Sequence, residues 1–177
     1  MKVTQTTLKD CILIEPDIYE DKRGFFMETF HKEKYFNLGI TQDFVQDNYS
    51  YSSKGVLRGL HFQINSPQGK LVSVTSGEVY DVVVDLRESS ISFGYWEGFT
   101  LSGNNKKQLW VPPGFAHGFL TTMEKTSFLY KCTNFYNPDD EGCILWNDKD
   151  LNISWPIKKP IVSSKDLNGS SFFNFKK

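Results

Sequence analysis

Glycine and proline divide this chain of 177 residues into short segments that are rich in β-branched and aromatic residues. The clearest of these segments is Glu78–Asp85, in which successive residues alternate between the two faces of an extended strand. One face is wholly apolar and consists of Tyr80, Val82, Val84 and Leu86. Many short strands of this kind, at regular spacing, predict an all-β sandwich or barrel.

The remaining predicted elements fit the same class of fold. Lys70–Thr75 precedes Glu78–Asp85, and Ser76-Gly77 between them predicts a tight turn that pairs the two strands. Because helices are few and no β-α-β alternation is present, we predict an all-β jelly-roll barrel with a few short helices, in one domain over residues 1–177. The other predicted elements are the strands Gln108–Val111 and Ser127–Thr133, a helix over Lys32–Leu38 and a helical turn near Lys165–Leu167.

The composition excludes several classes of protein. A net charge of −1 argues against a nucleic-acid or anionic-membrane surface, for which a strong basic excess is expected. No apolar run approaches the roughly 20 residues of a membrane helix, and the polar first ten residues lack the apolar part of a secretory signal. Cys11, Cys132 and Cys143 show no CxxC spacing, which indicates reduced thiols. We therefore expect a cytoplasmic protein without nucleic-acid or membrane partners.

Two histidines occur at a spacing that is similar to that of metal-binding cupin barrels. His61 follows a glycine by six residues, and His117 ends a Pro-x-Gly-x-x-His run. The metal-binding pattern fails at two positions, because Gln63 replaces the second histidine and Lys70 replaces the glutamate. Glutamine is a poor ligand for a soft divalent ion, and an ammonium group repels one. We therefore predict a cupin-type barrel that has lost the cupin metal and works without one.

His61 is the first candidate for proton transfer. A lone histidine is more often structural, but Lys70 lies on the next predicted strand, close enough to share a cavity with His61. Arg58 would lie on the opposite face of a regular strand, since it precedes His61 by three residues. Gly59 could supply a β-bulge that turns both side chains inward, a device common beside active sites. A histidine beside a cation suits carbanion chemistry better than metal chemistry.

Tyr130 and His117 each have two interpretations. Tyr130, with Phe128 and Cys132 on the same face of its strand, is either a core tyrosine with its hydroxyl at the rim or a general acid for a carbanion. A nearby cation such as Lys70 would ease the loss of the phenol proton. His117 either packs inside the barrel or contacts a ligand.

Arg23-Gly24-Phe25-Phe26-x-Glu28 is a second candidate binding motif. Its arginine could bind a phosphate, its aromatic rings could stack on a base, and its carboxylate could accept hydrogen bonds from the base. The alternative is a β-turn that leads into an edge strand, and the composition alone favours this alternative.

A series of motifs between about residues 11 and 166 occurs in a fixed order and nearly without gaps. The main ones are Phe44-Val45-Gln46-Asp47-Asn48, Val56-Leu57-Arg58-Gly59-Leu60-His61-Phe62-Gln63, Gln68-Gly69-Lys70-Leu71-Val72, Gly114-Phe115-Ala116-His117-Gly118-Phe119 and Leu145-Trp146-Asn147-Asp148. This series resembles the dTDP-4-dehydrorhamnose 3,5-epimerases, a family of cupin-fold enzymes of dTDP-L-rhamnose biosynthesis.

The resemblance implies a role for each matched residue. His61 would be the catalytic base, and Asp166 would orient its ring. Tyr130 would be the acid on the opposite face of the sugar, and Lys70 would stabilise the enolate oxygen. The residues implied to bind the nucleotide diphosphate and the sugar are Arg23, Phe26, Glu28, Gln46, Asp47, Asn48, Arg58, Gln63, His117, Glu141 and Lys165.

The implied activity is epimerisation at C3, C5 or both of dTDP-4-dehydro-6-deoxy-D-glucose, which gives dTDP-4-dehydro-L-rhamnose. The resemblance also implies no cofactor and a homodimer in which the N-terminal segment contributes to the partner. Three alternatives remain open. They are a single-centre epimerase of a related nucleotide-linked 4-keto sugar, a non-catalytic sugar-binding cupin, and a metal-dependent cupin enzyme. Ser73, where many relatives carry arginine, leaves room for the first of these.

Overall fold

The structure of the protein is a computed structural model that describes residues 1–175, so the last two residues of the predicted domain lie outside it. The described residues form fourteen strands and three short helices. The strands are β1 (Lys2–Gln5), β2 (Ile12–Glu15), β3 (Ile18–Asp21), β4 (Gly24–Met27), β5 (Gln46–Ser52), β6 (Val56–Gln63), β7 (Lys70–Ser76), β8 (Glu78–Asp85), β9 (Trp96–Ser102), β10 (Gln108–Val111), β11 (Phe115–Thr121), β12 (Thr126–Cys132), β13 (Glu141–Cys143) and β14 (Ile161–Val162). The helices are α1 (Lys32–Phe36), α2 (Ser164–Leu167) and α3 (Phe172–Phe175).

Two sheets enclose the main core of the molecule. The first has the strand order β1-β2-β10-β7-β12-β5, and the second has the order β13-β6-β11-β8-β9, with β14 added beside β6. Their facing sides contribute one cluster of buried apolar side chains, which includes Val72, Val83, Leu109, Phe119 and Phe128. This two-sheet barrel confirms the predicted all-β, cupin-type jelly roll with a few short helices.

The predicted strand Glu78–Asp85 is observed with the same bounds, and both of its faces are buried. Val82 and Val84 lie on the predicted apolar face and pack beneath residues from the C-terminal part of the chain. Val79 and Val83 lie on the other face and belong to the core between the sheets. Burial on both faces explains why apolar residues occupy consecutive positions in this strand.

The predicted hairpin between β7 and β8 is wrong, although both strands form at nearly the predicted positions. β7 lies between β10 and β12 in the first sheet, whereas β8 lies between β11 and β9 in the second. Each strand therefore has neighbours at both edges, which leaves no edge at which the two could pair. The connecting Gly77 has a φ of +74°, which glycine adopts readily, and it leads the chain from one sheet to the other.

Helix α1 covers part of the outer face of the first sheet. Its Tyr35 is buried against side chains of β2 and β10, and the Tyr35 hydroxyl donates a hydrogen bond to Oε1 of Gln108 at 2.6 Å. The helix ends at Phe36, two residues before the predicted end at Leu38. This layer leaves the opposite side of the first sheet free to line the barrel interior.

The C-terminal segment brings α2 against the second sheet. β14 pairs in parallel with β6, and α2 follows at Ser164–Leu167, close to the turn predicted at Lys165–Leu167. The side-chain oxygen of Ser163 accepts a hydrogen bond from the backbone N–H of Asp166 at 3.1 Å and so caps the helix. This cap fixes the position of Asp166. Helix α3 was not predicted, because four residues are too few to show a helical period.

Two expectations from the composition can be compared with the structure. The three helices of residues 1–175 contain 5, 4 and 4 residues, so none of them could span a membrane. All three cysteines are free thiols, as predicted, with Cys11 and Cys132 buried and Cys143 partly buried.

Candidate active site

A cavity of about 420 Å³ lies between the two sheets. Its walls come from β6 and β11 of the second sheet, β7 and β12 of the first sheet, and α2. The predicted substrate-binding residues Arg58, His117 and Lys165 line it. The four predicted catalytic residues line it as well, namely His61, Lys70, Tyr130 and Asp166. The barrel thus brings together side chains that are distant in the sequence.

His61 and Asp166 form a hydrogen-bonded pair in this cavity. Nε2 of His61 lies 2.7 Å from Oδ1 of Asp166, while the backbone N–H of Gly59 donates to Oδ2 of Asp166 at 3.2 Å. Burial by itself would raise the pKa of Asp166, but the hydrogen bond and charge of His61, with smaller contributions from Gly59 and Ser163, hold this pKa below its usual value. Asp166 is therefore a carboxylate at neutral pH and fixes the orientation of the His61 ring.

A β-bulge at Gly59 turns both Arg58 and His61 toward the cavity, as predicted. His61 pairs with His117, and Arg58 pairs with Phe119. Between these two pairs the chain advances by three residues along β6 but by only two along β11. Gly59 has a φ of +123°, and a Cβ atom there would lie 2.5 Å from Cα of Gly118. A larger residue at this position would therefore push β6 and β11 apart and disturb the site.

Lys70 reaches the cavity from the first sheet, opposite His61. Its side chain is buried, and it lies beside Cys132 of the neighbouring strand β12. Burial lowers the pKa of Lys70, while the acidic groups of Cys132 and Asp81 act in the opposite direction. A cation in such a dry environment interacts strongly with any negative charge that forms next to it.

Tyr130 packs partly in the core and also lines the cavity, as both interpretations of this residue require. Its ring centroid lies 5.9 Å from that of Phe128. Burial raises the pKa of Tyr130, Cys132 raises it further, and the positive charge of Arg58 lowers it. Arg58 is thus a cation that lowers the pKa of this phenol, while the expectation that Lys70 eases loss of the phenol proton stays a prediction.

His117 belongs to a second histidine–carboxylate pair inside the barrel. Its Nε2 lies 2.9 and 3.0 Å from the two carboxylate oxygens of Asp81, which is fully buried. The His117 ring stacks on Phe128, with the ring centroids 6.1 Å apart. His117 is therefore packed inside the barrel and also lines the cavity, so the two interpretations of this residue are compatible.

Polar side chains of β5, β13 and α2 form a hydrogen-bonded group near the cavity. Nε2 of Gln46 donates to Oδ1 of Asn48 at 3.0 Å, and Oε1 of Gln46 accepts from the backbone N–H of Tyr136 at 2.9 Å. The Tyr136 hydroxyl donates to Glu141 at 2.9 Å, and Lys165 forms an ion pair with the same carboxylate. Four of the predicted substrate-binding residues are thus close to one another.

Asp47 and Gln63, which were also predicted to bind substrate, have other partners in the structure. Exposed and partly buried residues alternate along β5, and Asp47 is one of the exposed ones. It forms an ion pair with Lys131 at 2.9 Å. Gln63 is buried and donates to the carbonyl oxygens of Ser66 and Phe135 at 2.7 and 3.2 Å. Gln63 therefore holds two loops together beside the site.

Comparisons with known proteins identify the family of this chain. The sequence profile of the dTDP-4-dehydrorhamnose 3,5-epimerase family matches residues 5–174. The chain belongs to this family. It is 50% identical over 174 residues to the dTDP-4-dehydrorhamnose 3,5-epimerase of Shigella flexneri, a match that covers 97% of this chain and 96% of the relative. As a member of the family, it is an isomerase of the epimerase type.

Solved structures of this epimerase family have the same fold as this chain. The crystal structure of the dTDP-4-dehydrorhamnose 3,5-epimerase of Elizabethkingia anophelis NUHP1 has a TM-score of 0.94 and 50% identity, over 98% of this chain and 97% of that one. A dTDP-6-deoxy-D-glucose-3,5-epimerase of Legionella pneumophila Philadelphia 1 has a TM-score of 0.94 and 49% identity, over 97% of this chain and 93% of that one. The Legionella structure is a complex with dTDP-4-keto-L-rhamnose.

Three residues that the family resemblance implies for substrate binding lie away from the cavity. Arg23, Phe26 and Glu28 lie on or next to the ribbon of β3 and β4, which pairs with neither sheet. Arg23 forms an ion pair with Asp21, Glu28 forms one with Lys34, and 69% of the Phe26 surface is exposed. These residues do not line the cavity formed by their own chain.

Several residues in or beside the cavity were missed by sequence reasoning. Tyr136 follows β12 in a loop and lines a smaller cavity of about 80 Å³ next to the first. Asp81 was seen only as part of an alternating strand, and Cys143 only as a thiol. No spacing or periodic pattern distinguishes these residues in the sequence, because the pairing of distant strands is what brings them to the site.

Proposed function

We propose that this chain converts dTDP-4-dehydro-6-deoxy-D-glucose into dTDP-4-dehydro-L-rhamnose by inverting C3 and C5, without a cofactor. The observation that carries this proposal is the convergence of the His61–Asp166 pair, Lys70 and Tyr130 on one cavity. The names of the relatives support the substrate, since they are about 50% identical over nearly the whole chain.

The chemistry begins with removal of a proton from the sugar. The 4-keto group acidifies the hydrogens on C3 and C5, because the resulting carbanion is delocalised onto the keto oxygen. His61 removes the proton, and the carboxylate of Asp166 stabilises the imidazolium that forms. Lys70 stabilises the negative oxygen of the enolate, and its charge acts strongly because it is buried.

Tyr130 then returns a proton from the opposite face of the sugar. Burial raises the pKa of this phenol, so it remains protonated at neutral pH and is available as a donor. The positive charge of Arg58 partly stabilises the phenolate that remains after the transfer. After each inversion the imidazolium of His61 releases its proton to solvent and the phenolate of Tyr130 takes one up, so the pair is reset before the second carbon reacts, and no electrons are exchanged with an outside group.

Deuterium labelling tests this function. The protein is incubated with dTDP-4-dehydro-6-deoxy-D-glucose in deuterium oxide, and the label is located by NMR. Deuterium at both C3 and C5, together with the L-configured product, is the expected result. Label and inversion at one carbon alone would indicate a single-centre epimerase, and no label at either carbon would indicate a non-catalytic sugar-binding protein.

Asp166→Asn should lower kcat by at least about 10- to 100-fold, the loss that follows when the partner that orients a metal-bound imidazole is replaced. The amide lacks the charge that stabilises the imidazolium, although it retains the shape of the side chain. The KM should change little, because Asp166 contacts His61 rather than the nucleotide. Steady-state kinetics measure both parameters, with Asp43→Asn, a surface carboxylate paired with Lys32, as the matched control. Wild-type kcat in Asp166→Asn would contradict this role.

We further propose that the enzyme is a homodimer in which Arg23, Phe26 and Glu28 complete the site of the partner. The support is that these residues lie away from the cavity of their own chain, on a ribbon with exposed aromatic side chains, Tyr19, Phe25 and Phe26. An exposed two-stranded ribbon is stable when another surface covers it.

Mixing two inactive variants tests the dimer. Arg23→Ala and His61→Asn each lose activity, but a mixed dimer has one site with both residues intact. Random exchange of subunits should therefore restore about a quarter of the wild-type activity, because half of the dimers are mixed and each has one intact site. No recovery after verified exchange, or a monomer by light scattering that is fully active, would contradict the proposal.

A further inference from the structure

Three side chains of the types that bind metals meet around His61, the proposed catalytic base. The Nε2 or Nδ1 atom of His61, the Sγ atom of Cys143 and a carboxylate oxygen of Asp166 all lie within 4.8 Å of one another. Two of these side chains have a place in the epimerisation, whereas Cys143 has none. The thiol therefore needs a separate explanation.

The pairing of β13 with β6 places the thiol beside the imidazole. The backbone N–H groups of Leu60 and Ile144 donate to each other's carbonyl oxygens at 3.1 and 3.0 Å, so these two residues form a hydrogen-bonded pair. The adjacent pair is His61 and Cys143, which is a non-hydrogen-bonded pair. The side chains of such a pair lie closest together in an antiparallel sheet. The two side chains are therefore held together by the backbone.

The third ligand is held just as firmly. Asp166 accepts the backbone N–H of Gly59 through one oxygen and lies 2.7 Å from His61 through the other, and its own N–H is bound by Ser163. The ligand atoms of a tetrahedral zinc ion lie about 3.3–3.8 Å apart, given bonds of about 2.0–2.3 Å. The separations in this group, from 2.7 Å to at most 4.8 Å, bracket that spacing.

We propose that His61, Cys143 and Asp166 form an inhibitory site for a thiophilic divalent cation, of which Zn²⁺ is the type. One imidazole nitrogen, one thiolate and one carboxylate are the ligands that zinc prefers, and the adjoining cavity leaves a fourth position open to water. The ion blocks His61, because an imidazole that binds a metal through Nε2 carries its proton on Nδ1 and has no free lone pair to accept the substrate proton. The enzyme itself still requires no metal.

Binding is a simple exchange of a proton for the metal. The Cys143 thiol releases its proton to solvent, a metal–sulfur bond forms, and no oxidation takes place. The metal has to displace this proton, which makes the site weaker than a preformed thiolate site and its occupancy reversible.

A second thiol in the same region provides a matched control. Cys132 also lies near the cavity, but it pairs across the strands with Lys70, whose positive charge has a larger effect on it than the negative charge of Asp47. The charge acting on Cys143 is the negative one of Asp166. A metal cation is attracted by the carboxylate of Asp166 beside Cys143 and repelled by the ammonium group of Lys70 beside Cys132. The proposal therefore assigns the site to Cys143 and not to Cys132.

Cobalt and zinc titrations test the site in the full-length, chelator-treated protein. Co²⁺ should bind one equivalent and give the absorption bands of a tetrahedral ion with a thiolate ligand, whereas Mg²⁺ should not compete. Cys143→Ser should keep the basal activity but bind Zn²⁺ at least about 100-fold more weakly, since even the loss of a group that supports a ligand costs about 10- to 100-fold. Cys132→Ser should bind Zn²⁺ as the wild type does.

The outcomes separate this proposal from the proposed function. Cobalt binding needs no substrate, so it tests the site even if the enzyme acts on another sugar. Equal zinc affinity of Cys143→Ser and the wild type, or loss of binding in Cys132→Ser instead, would overturn the proposal. Cys143→Ala provides a second variant if the serine variant unfolds, and thermal unfolding of each variant shows which ones are folded.

Discussion

Replacing His61 with asparagine is expected to lower turnover by about 10²–10⁴-fold, the usual contribution of a positioned general base. Asparagine can still donate a hydrogen bond to Asp166, whose buried carboxylate would otherwise lose its partner. It cannot accept a proton from carbon at neutral pH. The affinity for dTDP should remain close to the wild-type value, because the base acts on the sugar alone.

Product formation and calorimetric titration with dTDP measure the two parts of this prediction. His31→Asn is the matched control, because His31 precedes α1 and lies outside the cavity. It should retain wild-type turnover. If His61→Asn exchanged the C5 hydrogen with solvent at a near-native rate, another group would have to be the base.

Replacing Tyr130 with phenylalanine should separate hydrogen exchange from inversion. Phenylalanine keeps the ring that packs against Phe128, so the fold should survive with a small change in the free energy of unfolding. His61 can still remove a proton and return one to the same face of the sugar. Inversion at C5, however, lacks its donor. Solvent deuterium should therefore enter the substrate while the L-configured product does not accumulate.

Tyr136→Phe is the informative comparison for this experiment. Tyr136 is the other phenol near the site, and its hydroxyl donates to Glu141. We expect Tyr136→Phe to raise KM and still form the inverted product, because this hydroxyl belongs to the polar group near the cavity. Formation of the L-configured product at close to the wild-type rate by Tyr130→Phe would show that Tyr130 is only a core residue. Loss of inversion in Tyr136→Phe instead would assign the acid to Tyr136.

Strand positions could be predicted from the sequence, but strand partners could not. The alternation in Glu78–Asp85 depends only on neighbouring residues, and this strand was found with its observed bounds. The predicted hairpin with Lys70–Thr75 depends on which edges are free, and a glycine turn has the same sequence whether it joins paired strands or leads to another sheet. Local chemistry predicts where a strand lies, while its neighbours are determined by the whole barrel.

The candidate site likewise contains some residues that could be predicted from the local sequence and others that could not. His61, Lys70 and the bulge at Gly59 were inferred from residue types and spacing along two successive strands; His61 and Lys70 line the cavity, and the register shift occurs where the bulge was predicted. Asp166 came only from the family resemblance, because it follows His61 by 105 residues and stands in no recognisable pattern. Cys143 could not have been placed beside His61 without knowledge of how β13 pairs with β6.

The short C-terminal segment has a consequence for the synthesis of the enzyme. β14 contains two residues and α2 contains four, and this segment carries Asp166 to its place beside His61. A protein emerges from the ribosome with its N-terminus first, so both sheets can assemble before the residues that follow β13 are available. A nascent chain at that stage has a barrel and a histidine without its carboxylate. The pair of His61 and Asp166 can therefore form only after the strands of both sheets have been translated.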